Sequence, residues 1–60
     1  MNFRKVNTET YNVSYKGENY GKITWCFEDR QWWYDAGEDF YLNSDDLVAI
    51  ANKLNKLNKA

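Results

Sequence analysis

Tyr20-Gly21-Lys22-Ile23-Thr24-Trp25-Cys26-Phe27, then Glu28-Asp29-Arg30-Gln31, then Trp32-Trp33-Tyr34: this stretch decides the fold. Its first run places Ile23, Trp25 and Phe27 on one face and Tyr20, Lys22, Thr24 and Cys26 on the other, the period of two of a half-buried strand. Residues 28–31 are polar and read as a turn. Trp32-Trp33-Tyr34 is rich in side chains that favour a pleated surface and reads as the next strand. A connection this short makes an antiparallel hairpin, because a parallel crossover needs about a dozen residues or more.

Upstream, Tyr11, Val13 and Tyr15 alternate with Asn12 and Ser14, and Lys16-Gly17-Glu18-Asn19 is a turn with Gly17 suited to positive φ. Residues 1–9 are less periodic, and Phe3 and Val6 are read as lengthening the first strand. Downstream, Asp35-Ala36-Gly37-Glu38-Asp39 is a loop, and Phe40-Tyr41-Leu42 is extended, a candidate short fourth strand.

A helix closes the chain. Leu47, Ile50, Leu54 and Leu57 are spaced three, four and three apart, with Ala51 in the same stripe. Asn43 is the expected N-cap. It places Asp46 at the third helical position, beside the orphan amides, and lets Leu42 pack on Leu47 as a hydrophobic staple. Asp45 and Asp46 complement the positive start of the helix, and Lys53, Lys56 and Lys59 its negative end. The expected architecture is a single α+β domain: a three-stranded antiparallel meander, order 1-2-3, with strands near residues 9–15, 20–27 and 32–36. The helix, near residues 44–58, packs across one face. Its stripe is expected to meet Val13, Ile23, Trp25 and Phe27.

Sixty residues make one small domain, too short to bury two cores. A core of this size supplies only about 3–5 kcal/mol. One Cys cannot close an intrachain disulfide, and a chain without His lacks the usual nitrogen ligand for zinc. No cofactor is expected. A lone Cys26 suits a reducing cytoplasm. No apolar run reaches the ~18–20 residues of a membrane span, and the N-terminal residues lack a signal peptide's apolar segment, so a cytoplasmic location without membrane contact is expected.

The absence of His excludes Ser-His and Cys-His nucleophiles. Gly21-Lys22 is followed by Ile23 inside a strand, so there is no Walker-type phosphate cradle. Asp35, Glu38, Asp39, Asp45 and Asp46 lack the spacing of a calcium loop, and so short a chain has little concave volume in which to raise a carboxylate's pKa. A non-enzymatic protein is expected.

The net charge of −1 hides a segregation: residues 28–46 hold seven acidic side chains and one basic, whereas residues 47–60 hold three lysines and no acid. The acidic block repels nucleic acid and suits a basic protein surface, or is simply a solvated set of loops and a helix start.

The aromatic surplus carries the functional reading. Eleven rings occupy sixty positions, and one helix covers one face of such a sheet, not both. Strand side chains alternate, so Trp32 and Tyr34 point opposite to Trp33, and at least one Trp leaves the covered face. The surplus rings form a second covered cluster, a homodimer face or a binding platform. On the platform reading, Tyr20, Trp32 and Tyr34 on the uncovered sheet face, with Asp35, Glu38 and Asp39 of the acidic loop, contact a partner protein. The alternative partner is single-stranded nucleic acid stacked on the same rings, flanked by Arg4, Lys5, Lys16, Lys22 and Arg30.

The stretch Phe40-Tyr41-Leu42-Asn43-Ser44-Asp45-Asp46-Leu47 and its continuation through Asn58 resembles the endings of small phage and prophage accessory proteins. In those, a Trp- and Tyr-rich meander precedes such a helix. The resemblance covers about a third of the chain and carries no catalytic residue. It implies an accessory or inhibitor protein acting in the cytoplasm of a bacterial host by binding a host or viral macromolecule.

Overall fold

Four strands and one helix follow one another in the computed structural model, which describes residues 1–37 and 41–59. They are β1 (Asn2–Asn7), β2 (Thr10–Tyr15), β3 (Glu18–Cys26), β4 (Gln31–Asp35) and α1 (Ser44–Lys59). The strands form one antiparallel sheet in the order β1-β2-β3-β4. The α+β meander with one C-terminal helix is therefore as expected, with a fourth strand added at its N-terminal edge.

That fourth strand comes from residues 2–7. Tyr41 and Leu42 precede the helix without joining the sheet, and Phe40 lies outside the described residues. Phe3 and Val6 do not lengthen the first expected strand; they belong to a separate one that folds back onto it. Phe3 pairs with Val13 and faces the helix side, while Val6 is the extra residue of a bulge between Lys5 and Asn7. The turn into β2 is held by Asn7 Oδ1, which accepts the amide of Glu9 at 2.8 Å. An exposed Lys5 on the helix side and an unpaired Val6 erase the period of two, which hides this strand in the sequence.

The Lys16-Gly17 turn joins β2 to β3 with φ of 51° and 81°, the two positive values a two-residue type I′ hairpin requires. A four-residue loop joins β3 to β4, closed by the Arg30 amide on the Cys26 carbonyl at 2.8 Å. β3 ends at Cys26, so Phe27 opens this loop 68% exposed instead of entering the core as expected.

Helix α1 starts as the capping argument requires. The Asp46 amide donates to Asn43 Oδ1 at 2.9 Å, and the Asn43 amide donates back to Asp46 Oδ2 at 3.3 Å. This is a reciprocal capping box that satisfies two orphan donors. The helix runs along β4 and reaches inward over the sheet. Val13, Ile23 and Ile50 are buried; Leu42, Leu54 and Leu57 pack around them. Each of the three buried side chains contributes roughly 1.5–3 kcal/mol. The inward stripe is rotated from the expected one. Leu47 is 51% exposed and Ala51 is exposed, while half-buried Lys53 holds its ammonium 4.7 Å from the Tyr11 ring centroid and 5.9 Å from that of Phe3. A cation over two ring faces lets a lysine, expected only to complement the helix end, lie against the sheet beside the leucines.

Candidate functional site

Register sorts the rings between the two faces of the sheet. Directly paired residues on neighbouring strands share a face, and Ile23 pairs with Tyr34 as Trp25 pairs with Trp32. Ile23 is fully buried, so Tyr34 and Trp32 lie on the helix side with it. Trp32 meets Trp25 edge-on at 5.8 Å and Tyr11 edge-on at 5.5 Å.

Tyr20 joins them through a backbone irregularity. In a regular strand it would oppose Ile23. Between Asn12 and Ser14 the pairing jumps from Lys22 to Asn19, leaving Tyr20 and Gly21 opposite Val13. Gly21 takes φ 105°, and its amide is held by Asn19 Oδ1 at 3.0 Å. The bulge turns the Tyr20 ring inward onto the core, 6.4 Å from Tyr15. The Tyr34 hydroxyl donates to the Tyr20 carbonyl oxygen, tying β4 to the bulge. Burial pushes both phenols above their ordinary pKa. The carboxylates of Glu18 and Asp46, with Tyr15, add to the effect at Tyr20, and Asp35 adds at Tyr34.

Tyr20, Trp32 and Tyr34 are therefore not on the uncovered face, where they were expected. The ring that leaves the helix side is Trp33, 51% exposed. It pairs with Thr24, which pairs with Thr10, so the indole stands at the end of a row of hydroxyls. The next row is charged and crosses all four strands: Arg4 pairs with Asn12, Asn12 with Lys22, and Lys22 with Asp35. Asp35, expected in the acidic loop, is instead the last residue of β4 and lies on the helix-free face, while Glu38 and Asp39 lie outside the described residues.

Three open depressions mark this face. One of about 370 Å³ includes Thr24, Cys26, Trp33 and Asp35. Another of about 270 Å³ lies over the bulge beside Asn12, Lys22 and Asp35, and a third of about 320 Å³ includes Arg4, Asn12 and Ser14. The face offers an indole, hydroxyls, amides and both signs of charge, the equipment of recognition. Among the described residues no group of three His, Cys, Asp or Glu side chains comes together as a metal site, and no helix is long and apolar enough to cross a membrane.

Trp33 was within reach of sequence reasoning. A four-residue loop pairs Cys26 with Gln31, so Trp25 must face Trp32, and Trp25 had already been placed inward. Nothing in the sequence announced the bulge that turns Tyr20. No protein-family model, curated protein or solved structure matches the chain.

Proposed function

We propose that this chain is a non-enzymatic protein-binding module that docks its partner on the helix-free sheet face, with Trp33 as the anchor. The observation that carries this reading is the half-exposed indole among small hydroxyl side chains. A partner pocket can enclose such a ring at little steric cost, and tryptophans of this kind dominate binding energetics. The neighbouring Arg4–Asn12–Lys22–Asp35 row supplies orientation through complementary charge. The resemblance of the C-terminal stretch to phage accessory proteins makes a host or viral macromolecule the partner class, and an inhibitor or accessory role in a bacterial cytoplasm the setting.

Single-stranded nucleic acid is less well served. Base stacking uses successive rings on one surface, and Tyr20, Trp32 and Tyr34 all pack on the other side.

The test is capture from a bacterial lysate with the wild type beside Trp33→Ala, each confirmed folded by circular dichroism. The expected result is a partner retained by the wild type and weakened by about 2 kcal/mol, roughly thirtyfold, in the variant. Equal retention by both proteins overturns the assignment of this face. Quenching of Trp33 by oligonucleotides that fades steeply with salt gives the face to nucleic acid instead. A sedimentation mass near twice 7.2 kDa that Trp33→Ala halves gives it to a second copy.

A further inference from the structure

The two outer edges of the sheet are finished differently. On β4 the side chain of Asn58 takes both main-chain groups of Trp32, in the way a neighbouring strand would. On the far side, β1 has β2 as its one strand neighbour among the described residues, and five of its six residues are exposed. An edge of this kind presents main-chain donors and acceptors that an added strand can match.

β1 is also chemically marked. It carries Arg4 and Lys5 and no acidic residue. On its helix side a groove of about 400 Å³ opens between β1 and α1, lined by Phe3, Ala49, Asn52, Lys53 and Lys56. Lys5 pairs with Tyr11, the ring over which the Lys53 ammonium sits, so Lys5 belongs to the same basic surface. The groove therefore combines an aromatic floor with lysines along its rim.

We infer that β1 is a strand-addition site for an extended acidic peptide, whose helix-side carboxylates enter the groove beside Lys53 and Lys56. The main-chain ladder supplies affinity, and the charges select the strand. Like charges placed directly across a ladder destabilise it, so Arg4 and Lys5 turn away a basic strand and a second β1 alike. Opposite charges at the same positions favour an acidic one. The bulge at Val6 ends the regular ladder and limits the paired segment to residues 2–5. Glu suits the groove, since its methylenes lie against Phe3 while its carboxylate reaches the ammonium groups. The groove lies on the opposite edge from Trp33 and on the other face; Arg4 alone is shared with the charged row beside Trp33, and Lys56→Glu, away from that row, separates the two readings.

The experiment is titration of the isotope-labelled full chain, followed by amide shifts and hydrogen exchange. The probes are three peptides of about eight residues: alternating Glu-Val, alternating Lys-Val and alternating Glu-Pro. Glu-Pro keeps the charge but lacks half the amides and prefers polyproline geometry. Glu-Val is expected to shift Phe3 and slow exchange in residues 2–5, binding about tenfold tighter than Lys-Val. The preference should reverse in Arg4→Glu/Lys5→Glu, both changes falling on exposed side chains. If that double variant loses the native spectrum, Lys56→Glu is used in its place and should cut Glu-Val affinity several-fold. Glu-Pro binding as tightly as Glu-Val would reduce the site to bare charge and overturn strand addition. An oligothymidylate binding the same residues as tightly would assign the groove to phosphate and overturn it equally. Unmoved β1 amides at roughly millimolar Glu-Val would end the idea.

Discussion

Asn58 closes the outer edge of β4 at Trp32. The Trp32 amide donates to Asn58 Oδ1 at 2.6 Å, and Asn58 Nδ2 donates to the Trp32 carbonyl at 3.3 Å. A side-chain amide has the donor and acceptor of a peptide group, so one residue in the last turn of α1 reproduces a rung of β-ladder and pins the helix end to the sheet. Asn58→Ala should cost about 1 kcal/mol, the sum of two net hydrogen bonds less the better helix propensity of alanine. Urea denaturation measures the loss. Hydrogen exchange of the Trp32 amide should accelerate along with it, whereas Asn58→Asp, which keeps the acceptor, should protect that amide.

Gly17 faces open space, whereas Gly21 has no room for a side chain. A Cβ there would collide with the Asp35 carbonyl oxygen and lie 2.9 Å from the Gly37 amide nitrogen, on a backbone already at φ 105°. Both neighbours are main chain and cannot rotate away. Gly21→Ala should destabilise by about 3 kcal/mol, most of what so small a core provides. A thermal melt that stays within a few degrees of wild type would show that the bulge is dispensable.

Lys16 occupies the left-handed region at φ 51°. An L-residue pays about 1–2 kcal/mol there, and Asn tolerates it far better. Against that gain stands the Lys16 ammonium, 5.3 Å from the Tyr15 ring centroid, an exposed contact worth about 0.5 kcal/mol. The conformational term is larger, so Lys16→Asn should stabilise by about 0.5 kcal/mol. Chemical denaturation should show a higher midpoint with an unchanged slope.

Trp32 and Trp33 are neighbours with opposite fates. Trp32 packs on the core and meets two rings edge-on, so Trp32→Ala should cost about 2–3 kcal/mol. Trp33→Ala, on the open face, should cost less than about 1 kcal/mol. Paired denaturation curves test the order, and a reversed order would mean the strand register is wrong.

Alkali should weaken the fold. Burial, with Asp35 adding, raises the Tyr34 phenol above its ordinary value, so the folded chain keeps that proton after the unfolded chain has lost it. Stability from this group is full below about pH 10 and falls as the pH rises from there through the folded-state pKa. Tyr34→Phe should be less stable at neutral pH, having lost the bond to the Tyr20 carbonyl, yet lose less on going to high pH. Denaturation midpoints across the alkaline range read both effects.

Much of this molecule is local. The helix was legible because a capping box is made by residues three apart, and Asn43 and Asp46 find each other without help from the sheet. The β2–β3 and β3–β4 hairpins were legible because short polar turns between alternating runs leave no other topology. Strand β1 was not, since its helix-side positions include Lys5, which stays exposed at the sheet's edge, and its period breaks at Val6.

The sequence by itself determined the class of fold, the helix with its cap, and the necessity that one indole of the Trp32-Trp33 pair face away from the helix. Those follow from chain periodicity, which each segment carries alone. Which rings would be sheltered was decided only by tertiary structure, through the strand register and the bulge at Gly21 that turns Tyr20 onto the core. A displacement of one residue in a strand exchanges its two faces, and that displacement is set by pairing between strands.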